Sequence, residues 1–481
     1  MNMNSLFVRH REARSAVAIH LSLRHPKNGL PRSLRSFAMT GLIVSLFLLP
    51  LPTNAANPVI TEVTSASGVK AWLVQDSKLP LIALRFAFRG GVETDPADKQ
   101  GLAVLTTTMM MQGAGAYDDS AFQERLAASS IAMEISAGRD YVAGEVKTLS
   151  RKKEEAFHLL ALVLTQPRFD QTVLDRVRGQ QQTAVTAQLA KPAWQARYAL
   201  YTHLFGAHPY GYRSLGTVAS LNKITREDMV SFTQSRFARD TLFVSVVGDI
   251  TPDELRTRLD QLFGALPEKA KTQDIAPVTL PEKPMSVLTK REGTQTNIIF
   301  AAPTLMRRDP DWYAAEIANY ILGGGGFIAR LMKAVRAREG LTYGIATGLA
   351  PTEKTSLLMG GFDVDNGKAA EALALVKRVW QDFYAKGVSE DEVQAAKDYL
   401  IGSAPLSLTS TDAIADALLS MQTQELGIDY LDRRDALYRT VTREDVSRVI
   451  TQYFAPSALS FSFVGKPDGV TTDKVQDLVK E

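Results

Sequence analysis

A long internal repeat constrains this fold more than any other feature of the chain. Ile224-Thr225-Arg226-Glu227-Asp228 returns as Val441-Thr442-Arg443-Glu444-Asp445. Phe237-Ala238 returns as Phe454-Ala455, and Val247-Gly248 as Val464-Gly465, all at one offset of 217 positions without a gap. Solenoid units run to a few tens of residues, so a period this long is a duplicated domain. The Pro- and Lys-rich interval 267–284 (PEKAKTQDIAPVTLPEKP) reads as the linker. The halves are then an N-terminal domain at 57–266 and a C-terminal domain at 285–481.

Residues 1–55 stand apart. They carry seven Lys/Arg against one acid, Glu12, then an apolar segment, Ala38–Leu51, and small residues at Thr53 and Ala55. That order reads as a secretory signal peptide cut after Ala55, giving a periplasmic or secreted protein with no stable membrane span after cleavage. Of the 55 Lys/Arg and 52 Asp/Glu in the chain, 48 and 51 then remain, so the mature charge is close to −3. No basic stripe is left for nucleic acid. The absence of cysteine excludes disulfides, thiolate catalysis and Cys-ligated metals.

Each half alternates strand pairs with helices. In the first, 59–75 reads as a hairpin and 79–89 as a strand, with a helix at 101–111. A helix at 122–129 follows, then a strand pair at 131–135 and 140–149. Helices at 152–164, 171–190, 192–205 and 224–237 and a buried strand at 242–247 complete it. The fold class is α+β: two homologous domains, each a largely antiparallel sheet with helices packed on one face.

In the second half, Gly323–Gly326 separate two apolar helical runs, and the second, Phe327–Arg338, leads to Leu341-Thr342-Tyr343 as the start of a strand. Four glycines suit a tight reversal or a close backbone contact. By itself the stretch also reads as an ordinary turn with a snorkelling Arg336 and a half-buried Tyr343.

The mature chain resembles the pitrilysin / mitochondrial-processing-peptidase family of inverted, insulinase-like zinc proteases. The likeness rests on Gly101-Leu102-Ala103, His208-Pro209-Tyr210-Gly211, Leu215-Gly216-Thr217, the repeated Thr-Arg-Glu-Asp helix starts and the glycine-rich stretch. It implies domains paired as half of a clamshell. Active members carry His-x-x-Glu-His on the helix after Gly-Leu-Ala, two zinc ligands flanking a general base. The matching positions here are Val104, Thr107 and Thr108, none of which can replace those groups. The third ligand would be a Glu within 171–190, yet no Asp or Glu occurs between Asp175 and Glu227. The three histidines of the mature chain offer no substitute: His158 lies on a helix, and His203 and His208 read as a packed ring and a cap. No Gly-x-Ser-x-Gly elbow or phosphate loop is present. No cofactor is expected in this chain.

The resemblance assigns Arg336 and Tyr343 to the substrate- and transition-state-binding pair that such a domain presents to a zinc site on a facing domain. The expectation is a non-zinc subunit of a heterodimeric metallopeptidase. Its partner would be a homologous subunit bearing His-x-x-Glu-His and the zinc, and its substrate a peptide or unfolded polypeptide. The alternative is a catalytically inactive scaffold or peptide-binding homologue.

Overall fold

The repeat seen in the sequence is a repeat of whole sheets. The computed structural model describes residues 57–271 and 274–481, so the signal-peptide reading lies outside the described residues. The first repeat contributes strands β1 (Thr61–Thr64), β2 (Lys70–Gln75), β3 (Leu81–Arg89), β4 (Ala132–Ala137), β5 (Tyr141–Leu149) and β6 (Leu242–Gly248). Its helices are α1 (Leu102–Met110), α2 (Asp119–Ala128), α3 (Lys153–Thr165), α4 (Gln171–Leu189), α5 (Pro192–Phe205), α6 (Val218–Lys223), α7 (Arg226–Arg236) and α8 (Pro252–Phe263). The second repeat contributes β7 (Ser286–Lys290), β8 (Gln295–Pro303), β9 (Ile345–Pro351), β10 (Ser356–Asp365), β11 (Ser460–Gly465) and β12 (Lys474–Gln476). Its helices are α9 (Trp312–Asn319), α10 (Ala369–Lys386), α11 (Glu390–Gly402), α12 (Thr411–Thr423), α13 (Tyr430–Arg439) and α14 (Arg443–Tyr453).

The strand orders are β1-β2-β6-β3-β5-β4 and β12-β7-β11-β8-β10-β9. Neighbours are antiparallel except β2 with β6, and β7 with both β11 and β12, which run parallel. The repeated Thr-Arg-Glu-Asp motif starts α7 and α14 in the same way. Thr225 and Thr442 cap them, and Asp228 and Asp445 reach back to complete capping boxes. The shared sequence is therefore shared because each copy satisfies the same orphan backbone groups.

Side chains alternate across each sheet. Ile82, Leu84, Phe86 and Phe88 of β3 turn into a core built with the repeat's own helices, and Ile298 and Phe300 of β8 do the same in the second repeat. The opposite faces are covered by exchange. Ala415, Leu418 and Met421 of α12, from the second repeat, pack on Val74, Ala83 and Val247 of the first sheet. Leu200, Leu204 and Phe205 of α5, from the first repeat, pack on Ala301 and Leu357 of the second. Each sheet thus keeps its own helices on one face and borrows one for the other, and 57–481 forms one compact unit.

Polar contacts fix the exchange. Buried Arg85 of β3 donates to Asp416 at 2.6 Å and to Asp412 at 2.8 Å, both on α12. Lys147 also reaches Asp412, at 2.5 Å. Ser245 donates to the Ala415 carbonyl and Gln422 to that of Val244. The turn between β9 and β10 docks on the first repeat through the phenol–carboxylate pair Tyr141–Glu353 and through the Glu353 amide, which donates to Asp140 at 3.3 Å; Asp140 is in turn paired with Tyr210 within the first repeat. The Lys354 amide donates to the Tyr210 hydroxyl at 3.1 Å. The His-Pro-Tyr-Gly motif is thereby a fastening between repeats: His208 Nδ1 accepts from the Tyr210 amide as a cap, and Tyr210 is fully buried.

Beside this contact lies a buried acid, Glu93. One carboxylate oxygen accepts from the Gly91 amide at 3.0 Å, and the other has no partner among the described residues. Burial, with Asp140 nearby, pushes its pKa up to about 8, against opposition from Arg139.

Two predictions follow from these contacts. Arg85→Met leaves Asp416 without its close partner and Asp412 with Lys147 alone, and should lower the unfolding free energy by about 2 kcal/mol, discounted for their partial exposure. Urea denaturation followed by fluorescence should still show one transition, because neither sheet is closed without the other repeat; two separate transitions would contradict the interlock. Glu93 binds its proton more tightly folded (about 8) than unfolded, near 4.5. The folded chain therefore loses stability as pH rises between those values and no further above them. Glu93→Gln should flatten that decline and be more stable than the parent at pH 8.5, by roughly 1–3 kcal/mol. Equal pH slopes for the two proteins would refute it.

Candidate functional site

Helix α1 carries the positions that match the zinc motif. Its start is held by Asp95, whose carboxylate accepts from the Gly101 and Ala103 amides, each at 2.9 Å. Burial raises the Asp95 pKa to about 7. Leu102, Ala103, Leu105, Met109 and Met110 are buried in the first core. Val104 is half-buried, Thr107 buried and Thr108 exposed. Both threonine hydroxyls donate back to one carbonyl, that of Val104, at 3.2 Å from Thr107 and 2.8 Å from Thr108. Back-bonding of this kind is the ordinary use of a hydroxyl within a helix.

Helix α4 packs against α1. The group it sends there is the buried Gln181 amide, which donates to the carbonyls of Gly101 at 3.2 Å and Leu215 at 3.0 Å. Gln181 ties the start of α1 to the Leu215-Gly216-Thr217 segment, a role that sequence reasoning did not assign. A neutral amide already donating to two carbonyls and a pair of back-bonded hydroxyls do not make a zinc donor set. Among the described residues no group of three or more His, Asp or Glu side chains is clustered to hold a metal. His158 is exposed on α3. His203 has a buried Nε2 without a partner among the described residues, and burial lowers its pKa.

The second repeat holds the Arg/Tyr stretch. Helix α9 runs into a π-helical turn, Tyr320–Gly324, then a 3₁₀ turn, Gly326–Ile328, and a second π-helical turn, Met332–Arg338. The second apolar run is thus wider than the α-helix its sequence suggests, a form concentrated at functional sites. The glycines matter mainly through close approach. A Cβ at Gly323 would lie 2.4 Å from the Thr347 hydroxyl of β9, while Gly326 supplies the reversal with φ of 62°.

Arg336 lies on the second π-helical turn. Its guanidinium carbon sits 4.6 Å from the centre of the Phe327 ring. It makes no hydrogen bond or ion pair among the described residues, whereas nearby Arg330 is held by Glu392 at 2.6 Å and by the Gly387 carbonyl. Tyr343 is 83% exposed. It precedes β9 by two residues instead of starting it, and it is not the half-buried side chain of the turn reading. Its neighbour Thr342 explains the placement: that hydroxyl donates to the Asp363 carbonyl of β10 at 2.7 Å and accepts from the Gly344 amide. Tyr343 is thereby presented outward from a pinned backbone. No described hydrogen bond or ring contact joins Arg336 or Tyr343 to Val104, Thr107 or Thr108. The two sets stay on separate repeats.

Residues 73–218 match the model described as Insulinase (Peptidase family M16), and residues 223–400 match Peptidase M16 inactive domain. A Helicobacter pylori protein named non-peptidase homolog YmxG is 27% identical over 68% of this chain and 76% of its own length. The crystal structure of a peptidase M16 inactive domain from Pseudomonas fluorescens superposes with a TM-score of 0.80 at 27% identity, covering 88% of this chain and all of that one. The periplasmic protease PqqL from Escherichia coli shares the fold at 16% identity with a TM-score of 0.74, over 97% of this chain and 51% of its own. Both family models fall on the same M16 architecture and together span most of the described residues, so the chain belongs to the peptidase M16 family.

Proposed function

We propose that this chain is the non-zinc subunit of a secreted or periplasmic heterodimeric metallopeptidase. It supplies Arg336 and Tyr343 to a homologous partner that bears His-x-x-Glu-His and its zinc. The observation that carries this reading is an asymmetry in hydrogen bonding. At the positions of the zinc motif every hydroxyl is bonded back to its own helix, whereas the Arg336 guanidinium and the Tyr343 phenol have no hydrogen-bond partner among the described residues. A guanidinium offers a fixed planar fork to main-chain carbonyls of an extended peptide. A phenol can donate to the oxygen that gains charge as a scissile carbonyl is attacked. Substrates are peptides or unfolded segments, bound partly by addition of a strand to a sheet edge. Among the described residues no helix is long and apolar enough to cross a membrane.

A second reading, a catalytically inactive scaffold or peptide-binding homologue, is favoured by the relative named as a non-peptidase homolog and by the match to the inactive-domain model. On that reading Arg336 and Tyr343 serve packing or partner binding only.

Mixing the purified chain with the zinc-bearing homologue and following cleavage of a quenched fluorescent peptide separates the two. Activity should require both chains. Arg336→Ala and Tyr343→Phe should each lower kcat/KM about 10²–10³-fold, the scale of losing one transition-state donor, with binding of the partner unchanged. A partner fully active alone and indifferent to both substitutions would leave only the scaffold. Metal analysis of the purified chain by mass spectrometry should find far less than one zinc per molecule; a stoichiometric content would overturn both readings.

A further inference from the structure

We propose that Phe327 is the positioning residue for Arg336, an exposed ring that fixes the guanidinium's orientation without occupying any of its donors. The inference rests on the subunit reading above. Phe327 is 69% exposed and Ile328 53%, although Ala329 and Leu331 just after them are fully buried. The chain is turned outward there by Gly326 at positive φ, and by Gly325, where a Cβ would stand 2.7 Å from the Tyr320 carbonyl. A large apolar side chain held in water by this turn adds nothing to the core. Its recorded contact is with Arg336, 4.6 Å from ring centre to guanidinium carbon.

The geometry suits one purpose. An unrestrained Arg side chain spreads over many rotamers, and each must be frozen out when it meets a substrate. A carboxylate partner would restrain it, as Glu392 restrains Arg330, but would also neutralise the charge and fill the fork. A ring lying under the guanidinium restrains it by cation–π attraction and accepts no hydrogen bond from its N–H groups, which stay free. Those N–H groups are what a peptide carbonyl needs. The 3₁₀ turn carrying Phe327 packs on the π-helical turn carrying Arg336, so the two side chains come from one local framework.

Phe327→Ala and Phe327→Trp, made alone and together with Arg336→Ala, test this in the reconstituted heterodimer. Phe327→Ala should lower kcat/KM about two- to fivefold, the size of an exposed cation–π contact expressed as a ratio. Phe327→Trp should restore it, and Phe327→Ala should add no further loss to Arg336→Ala. An equal loss in the Arg336→Ala background would mean that the ring acts on substrate or partner directly, and would overturn the proposal.

A readout without the partner keeps the two ideas apart. In NMR spectra of the arginine-labelled chain alone, the Arg336 δ-methylene protons should be shifted upfield by the ring. The shift should vanish in Phe327→Ala and persist in Phe327→Trp. Unshifted Arg336 protons in the parent protein would overturn the proposal whatever the peptidase assay shows. A normal ring shift together with cleavage indifferent to Arg336→Ala would overturn the subunit reading instead.

Discussion

The exchange of α5 and α12 between the repeats is the contact on which the rest of the structure depends. A sheet with helices on one face leaves its other face to water, and here those faces carry Ala83 and Val247 in one repeat and Ala301 and Leu357 in the other. Burial of such side chains contributes roughly 25 cal/mol for each Å² removed from water, and it is obtained only when the other repeat supplies a helix. Arg85 then makes the pairing specific. Its guanidinium lies inside the contact and meets two carboxylates on α12, so a displaced helix would strand a buried charge. The duplicated chain consequently behaves as one body that presents two different faces, one per repeat.

Those faces differ in what their polar atoms are free to do. On α1 the Thr107 and Thr108 hydroxyls are committed to the Val104 carbonyl, and Gln181 from α4 is committed to two more. In the second repeat Glu392 is engaged by Arg330, and the Thr342 hydroxyl braces the backbone beside Tyr343. Groups already satisfied inside a fold have little left to offer a ligand, whereas an unpaired guanidinium and phenol at the surface can still gain by binding. This difference, more than the identity of any single residue, is what supports the proposed role of the second repeat.

Much of this was legible in the sequence, and the pattern of success has a physical cause. Strands and helices depend on neighbours within a few residues, so the repeated Thr-Arg-Glu-Asp helix starts could be read directly. The unsuitability of Val104, Thr107 and Thr108 for zinc was equally plain, since donor chemistry belongs to the residue type. What remained hidden depended on long-range placement. The helix exchange joins positions more than a hundred residues apart and leaves no local mark. The first π-helical turn contains Gly323, which admits Thr347 of β9. Phe327 looked like the first apolar residue of a helix, because periodicity cannot tell a ring turned inward from one turned out to meet an arginine. A large apolar residue placed directly after a run of glycines was the available signal.

Helix α1 also explains how a peptidase fold can persist without its metal chemistry. The side chains that hold this helix in place are separate from those at the motif positions. Leu102, Leu105, Met109 and Met110 fill the core, and Asp95 and Gln181 anchor the backbone at its start. Thr108 is exposed, where a substitution leaves the core intact, and half-buried Val104 packs against the margin of that core with an apolar side chain. Thr107 is the exception, since it is buried, but its hydroxyl finds a carbonyl within its own helix and needs no outside partner. Core side chains and backbone anchors are what hold this helix in place.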